Sequence, residues 1–232
     1  MDFKSGKVSV FYKVLRDNYT FIIPFMLSIS LMTVLLATIG NDLLFLDINS
    51  YHSNFADFFF LNFTNLGDGT IAFILVVVLL WISFREALTF LSITILITIL
   101  VTILKNVFFP EFNRPVAYFE TTDVVRLVAG YDPPMLCTFP SGHAATAFSV
   151  YLYLSILSKN QIAKFLLFVI AFLVAYSRIY LSAHFPVDVV VGAAIAVSVT
   201  IMCYYFSRKI KNFKLDKKLS FHPKIFIRQQ PI

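Results

Sequence analysis

The chain predicts an all-α integral membrane protein: a bundle of six transmembrane helices with both termini cytoplasmic and its chemistry at the outer face. Three observations carry that expectation. Hydrophobic residues make up 59% of the 232 positions and charged residues 14%, with a mean hydropathy of +0.81, outside the balance of a soluble domain. Six apolar runs are each long enough, with help from their flanks and at about 1.5 Å rise per residue, to cross a hydrocarbon core of about 30 Å. The basic residues, finally, segregate to one set of connections.

The first run, 21–39, is too long for the apolar core of a secretory signal, and "LATIGND" at its end lacks a small-x-small cleavage site, so it reads as an anchor. Residues 42–62, with Asp42, Asp47, Asp57 and several aromatics, predict an interfacial amphipathic segment on the outer face, with His52 in a structural role. The second and third spans, 68–84 and 87–108, meet at the short "ISFREALTF" connection, and a long outer loop, 109–142, follows. Spans four to six are 143–158, 162–181 and 187–206. With no internal repeat or linker, residues 1–206 read as one domain, followed by a basic cytoplasmic tail, 207–232.

With both termini inside, the inner segments hold fifteen of the nineteen basic residues, from Lys4 and Lys7 through Arg85, Lys159 and Lys164 to the tail. The outer side holds Lys105, Arg114, Arg126 and Arg178 with nine of thirteen acids, which satisfies the positive-inside rule. The same topology puts Cys137 outside and Cys203 at the inner end of the last span, so no intramolecular disulfide is expected. The net charge of +6 sits mainly in the tail, which reads as a topology determinant and weak lipid anchor, with His222 idle in it. No aromatic-and-basic module accompanies it, so nucleic acid is not an expected partner.

The outer face carries the unusual residues. Lys105 closes the third span, where a lysine can snorkel to the interface. Arg114 precedes Pro115, which biases it toward extended backbone. In "PSGHAATAFS", Pro140, Ser141 and Gly142 read as a turn into a helix, with Ser141 as N-cap and Ala144, Ala145 and Ala147 for close packing. The first N–H groups of such a helix lack intrahelical acceptors and make an anion site, Gly142 has no Cβ to block an oxygen, and His143 stands ready to donate a proton. Arg178, near the outer end of span five, needs a partner, since an unpaired guanidinium costs about 3 kcal/mol at the bilayer centre. Pro186 suits the first position of span six, which places Asp188 in its opening turn, four residues from His184 and able to hold the imidazole Nδ1–H. Each element has a structural explanation alone. The topology brings all eight residues to one membrane face: three cations and a helix start for an oxyanion, two histidines as nucleophile and acid, and a carboxylate behind one of them.

These residues resemble the type 2 phosphatidic acid phosphatase superfamily. "PSGH" at 140–143 and "SRIYLSAHFPVD" at 177–188 match its second and third elements without gaps, and "TNLGDG" at 64–69 is similar to its loop before the second span. The first element departs, with eight residues between Lys105 and Arg114 where the family usually has six. The resemblance covers spans two to six and implies that His184 attacks phosphorus, Asp188 orients it, and His143 protonates the leaving group and later activates water. It assigns Lys105, Arg114, Ser141, Gly142 and Arg178 to the phosphoryl oxygens, with no metal or other cofactor, and a bilayer lipid phosphate as substrate at the outer interface. The lipid stays open among a phosphorylated glycolipid such as lipid A, a polyprenyl diphosphate such as the undecaprenyl carrier, and a phosphatidic or phosphatidylglycerol phosphate. Its choice is expected of the loop "VAYFETTDVVRLVAGYDPPMLCT", where Arg126 either touches a second phosphate or pairs with Asp123. Alternatives are phosphotransfer to another lipid, a metal triad of the two histidines and Asp188, a vanadate-binding haloperoxidase relative, and an anion or lipid transporter without catalysis. The short loops and lack of sorting signals point to a bacterial cytoplasmic membrane. Oligomeric state is not encoded in any readable feature.

Overall fold

A computed structural model describes residues 10–119 and 125–210. Lys4, Lys7, Asp123, His222 and the tail from Lys211 to Arg228 lie outside them. Among the described residues all regular structure is helical, in ten α-helices with a 3₁₀ and a π turn.

A short α1 (Val10–Asp17) ends where Asn18 folds its amide back onto the Val14 carbonyl at 2.8 Å. The long α2 (Tyr19–Ile39) follows, then α3 (Asn41–Ser50) and α4 (Asn54–Phe63). The segment expected as a single interfacial stretch is therefore two helices. The second, whose N-cap Ser53 accepts the Ala56 amide, continues through a 3₁₀ turn (Thr64–Gly67) into α5 (Gly69–Ile82) with a bend of 47°. Asp68 caps α5 by accepting the Thr70 amide at 2.8 Å.

The next helix, α6 (Phe84–Ile103), ends in a π turn (Leu104–Phe108) and is followed by the one-turn α7 (Pro115–Tyr118). Then come α8 (Gly142–Leu157), α9 (Gln161–Tyr180) and α10 (Pro186–Lys209). Four helices, α2, α6 with its π turn, α9 and α10, are each long and apolar enough to cross a membrane, and the bent α4–α5 pair makes a fifth. The molecule is a multi-pass membrane protein. Of the 16 residues of α8, ten are buried; the helix rises only about 24 Å.

At the centre stands α8, packed against α9 and α10 and also against α5 and α6. Its Ala144, Ala145 and Ala147 are fully buried, the small side chains that let helices approach without a hydrophobic drive from lipid. Gly192 of α10 makes the closest approach: a Cβ there would lie 2.5 Å from the Ser141 carbonyl oxygen. Gly67 does the same beneath α8, with a Cβ falling 2.4 Å from Val174 Cγ1 and 3.0 Å from the His143 carbonyl. These two positions bring the α8 start against α10 and the 3₁₀ turn.

Arg208, expected in the tail, belongs to the last turn of α10, where it pairs with Glu86 at 2.5 Å and stacks 4.4 Å from the Tyr204 ring centroid. Arg85, expected in a connection, is buried within α6, with a guanidinium nitrogen on the Ser207 and Ile210 carbonyls at 2.7 and 2.8 Å. Both shifts have one cause: a charged group near a helix end in lipid is retained where another helix end supplies acceptors.

Candidate active site

Six of the eight residues singled out in the sequence, Lys105, Arg114, Gly142, His143, Arg178 and His184, line one cavity of about 290 Å³. The cavity lies where α8 begins, α9 ends and the π turn of α6 closes. Asp188 stands behind His184, and Ser141 is buried beside the cavity and is not part of its wall.

The turn between α9 and α10 presents His184. The Arg178 carbonyl accepts the amides of Ala183 and His184 at 3.0 and 3.1 Å. Ser182, in the left-handed region at φ 56°, is held by Asn49, whose amide donates to its hydroxyl at 3.0 Å, while that hydroxyl donates to the Arg126 carbonyl at 2.9 Å. Pro186 then takes the first position of α10, as its fixed φ and missing N–H favour. Asp188, two residues on, accepts the Phe185 amide at 2.9 Å.

The same Asp188 oxygen lies 3.3 Å from His184 Nδ1 and accepts the hydroxyl of Thr138, which itself sits 3.2 Å from Nδ1. With the threonine proton committed to the carboxylate, both neighbours of Nδ1 are acceptors, so the ring carries its proton there and Nε2 keeps its lone pair. His184 is 2% exposed. Burial, and after it the charges of Arg114, Arg178 and Lys105, hold its imidazole well below the ordinary histidine range, so the ring is neutral near pH 7.

The cations are held by neutral acceptors, which leaves their charge for a ligand. Arg178 donates to the Thr64 hydroxyl at 2.6 Å and the Tyr131 hydroxyl at 2.7 Å, and its buried Nε has no partner among the described residues. Its predicted need for a partner is thus met by hydroxyls. Arg114 donates to the carbonyls of Leu136 and Ala183, each at 3.0 Å, and burial, with Arg178 close by, lowers its pKa. Lys105 Nζ donates to the Cys137 carbonyl at 3.0 Å. Among the described residues, none of the three makes an ion pair with a carboxylate.

The second histidine comes from the start of α8. Ser141 is the N-cap, as expected, and its Oγ accepts the Ala144 amide at 3.4 Å. The next N–H groups, of Gly142 and His143, have no intrahelical acceptor. Ser141 also donates its own amide to the Asp188 carbonyl at 2.9 Å, which ties the α8 start to the α10 start.

Sequence reasoning missed Thr64, Asn65 and Tyr131 in the cavity wall and Thr138 behind it. Thr64 and Asn65 stand in the "TNLGDG" stretch, the one signal that pointed toward them. Arg126 pairs through two guanidinium nitrogens with Asp57; the Asp123 named as a candidate partner lies outside the described residues. That pairing raises its pKa. Among the described residues no three His, Cys, Asp or Glu side chains converge as a metal site. Cys137 and Cys203 lie at opposite ends of the bundle.

Three cations, a helix start and two imidazoles thus surround one small cavity in a multi-pass helical membrane protein. The family model described as the PAP2 superfamily matches residues 86–212, more than half of the chain, and the chain belongs to that superfamily. It is 30% identical over 118 residues to lipid A 4'-phosphatase of Porphyromonas gingivalis, a match covering 50% of each protein. It is 36% identical over 86 residues to phosphatidylglycerophosphatase B of Bacillus subtilis, covering 33% of this chain and 42% of the relative. The chain thus spans about half the length, or less, of the curated relatives it matches. The crystal structure of Aquifex aeolicus LpxE superposes with a TM-score of 0.63 at 35% identity, covering 71% of this chain and 94% of that one. A transmembrane PAP2-type phosphatidylglycerolphosphate phosphatase from Bacillus subtilis shares the fold, with a TM-score of 0.59 at 20% identity over 85% of this chain and 98% of that one.

Proposed function

We propose that this protein is a lipid phosphatase that hydrolyses a phosphate ester or diphosphate on a lipid head group through a phosphohistidine on His184. The observation that carries the reading is the state of that ring: neutral, with Nδ1 held against Asp188 and Thr138 and its other nitrogen left for a cavity lined by Lys105, Arg114 and Arg178. In the first step Nε2 forms a bond to phosphorus, the phosphorus–oxygen bond to the leaving group breaks, and His143 transfers a proton to the departing oxygen. Asp188 stabilises the positive charge that the imidazole acquires. In the second step water gives a proton to His143 as its oxygen bonds to phosphorus, the phosphorus–nitrogen bond breaks, and phosphate leaves with His184 neutral again. The three cations and the Gly142 amide stabilise the charge on the phosphoryl oxygens in both steps.

The reading extends to topology. Counting the short, buried α8 with the four long helices and the bent pair gives six membrane passages. Basic residues at the end away from the cavity support cytoplasmic termini and a site facing the outside of a bacterial cytoplasmic membrane. A lipid would then keep its chains in the bilayer while its phosphate enters the cavity. The names of the curated relatives make a lipid A-type phosphate the first substrate to test and phosphatidylglycerol phosphate the second. The experiment is phosphate release by the purified protein from lipid A, undecaprenyl diphosphate and phosphatidylglycerol phosphate, with His184→Ala as the blank. Release from none of them, or equal release by the variant, would overturn the reading.

A further inference from the structure

The end of the bundle opposite the catalytic cavity holds a second, larger hollow of about 800 Å³, walled by α1, the turn between α8 and α9, and the last turns of α10. The 16 residues of α8 put it about 24 Å from the His143 end of that helix. Its charge is strongly one-sided: among the described residues Lys13, Arg16, Lys159, Lys164 and Arg208 line it, against Asp17 as the single acid. Asp17 is already paired with Arg16 at 2.8 Å, and Arg208 with Glu86. Among the described residues the three lysines have no carboxylate in ion-pair range.

Lys164 is the telling member. It is 3% exposed, and its ammonium is satisfied by a main-chain oxygen, that of Asp17 at 2.5 Å, which also accepts the Gln161 side chain at 3.1 Å. A buried ammonium whose neighbouring carboxylate, Asp17, is already paired with Arg16 is costly, and here it faces a hollow roomy enough to admit a further anion. Arg208 adds a buried Nε without a partner among the described residues. Beside Lys164 on α9, Ile162 and Phe165 are 72% and 47% exposed, so cationic wall and apolar surface adjoin, as they must for a ligand with a charged head and hydrocarbon chains.

We propose that this hollow is a second anion site that holds the phosphate of an anionic phospholipid, distinct from any substrate turned over at the other end. Basic pockets between helix ends hold lipid phosphates in this way, each lysine or arginine near the surface strengthening the attraction about fivefold.

The test is lipid retention and thermal melting of the full-length protein in detergent, with phosphatidylglycerol, phosphatidylcholine of the same chains, or inorganic phosphate added. Phosphatidylglycerol should be retained and should raise Tm where phosphatidylcholine does not. Lys13→Gln/Lys159→Gln, which alters two exposed side chains and so spares the fold, should weaken binding by an order of magnitude or more, and Lys164→Gln further. The effect should persist in His184→Ala, which separates it from the catalytic cavity. Equal retention of the two lipids, or undiminished phosphatidylglycerol binding by both lysine variants, would sink the proposal. A Tm increase with inorganic phosphate alone, lost in the lysine variants, would likewise overturn the lipid as its source.

Discussion

The main-chain oxygen of Arg178 accepts the amide of His184 at 3.1 Å, so the residue that supplies the cavity's most buried cation also anchors the turn that presents the proposed nucleophile. Charge and attacking nitrogen therefore keep a fixed relation that does not depend on a ligand. Substitutions in this unit should act on turnover more than on substrate capture.

His184→Ala should lower phosphate release by more than about 10⁴-fold, as loss of a covalent nucleophile does. His143→Ala should lose about 10² to 10⁴-fold on an alkyl phosphate. It should lose far less on an aryl phosphate, whose leaving group needs no proton. Steady-state rates on the two substrate types check both expectations, and equal losses for His143→Ala would remove it from the acid role.

Thr138 bridges Asp188 and His184 Nδ1 from a buried position, as a positioning residue. Thr138→Val deletes a hydrogen bond to a charged group worth about 1.5–3 kcal/mol, which corresponds to about a 10- to 100-fold fall in kcat. KM should change little, and Thr138→Ser should recover most of the loss. A fall confined to KM would contradict the assignment.

The depressed pKa of His184 has two consequences with definite signs. As pH falls through about 6.5, an unfolded chain takes up a proton at this position while the folded one does not, so folding stability declines on the acid side. Above that pH both states are neutral and the group contributes no slope. Replacing it by Asn should therefore flatten the Tm profile between about pH 7.5 and 5.5. The neutral nucleophile should likewise persist into acid, putting the acid limb of kcat/KM that belongs to this ring below the usual histidine range.

Gly192→Ala places a methyl group 2.5 Å from the Ser141 carbonyl, a main-chain atom that cannot swing aside. The overlap should cost about 1–3 kcal/mol and shift the α8 start, seen as a lower Tm together with reduced activity. A variant of unchanged Tm and full activity would show that this helix contact is looser than described.

Much of this could be read from the chain because the information is local. Pro186, His184 and Asp188 fall within five positions, and their helix-start geometry follows from the fixed φ of proline and the reach of a carboxylate to its own N-cap. Ser141 and the alanines of α8 declared themselves similarly. Thr64 and Tyr131 did not: they meet Arg178 across 114 and 47 positions through single hydroxyls, and a hydroxyl in a loop has no pattern that separates a cation's partner from a solvated turn. Asp57 meets Arg126 from a helix 69 positions earlier, a separation that no local pattern signals. Lys105 reaches the cavity in spite of its longer spacing to Arg114 because it stands in a π turn, whose wider ring turns side chains away from the α-helical register. Periodicity read at 3.6 residues per turn has no means of anticipating that.

The amide of Ser141 bound to the Asp188 carbonyl at 2.9 Å makes the openings of α8 and α10 a single frame, with one imidazole mounted on each side of the joint. A shift of either opening would therefore move both rings at once.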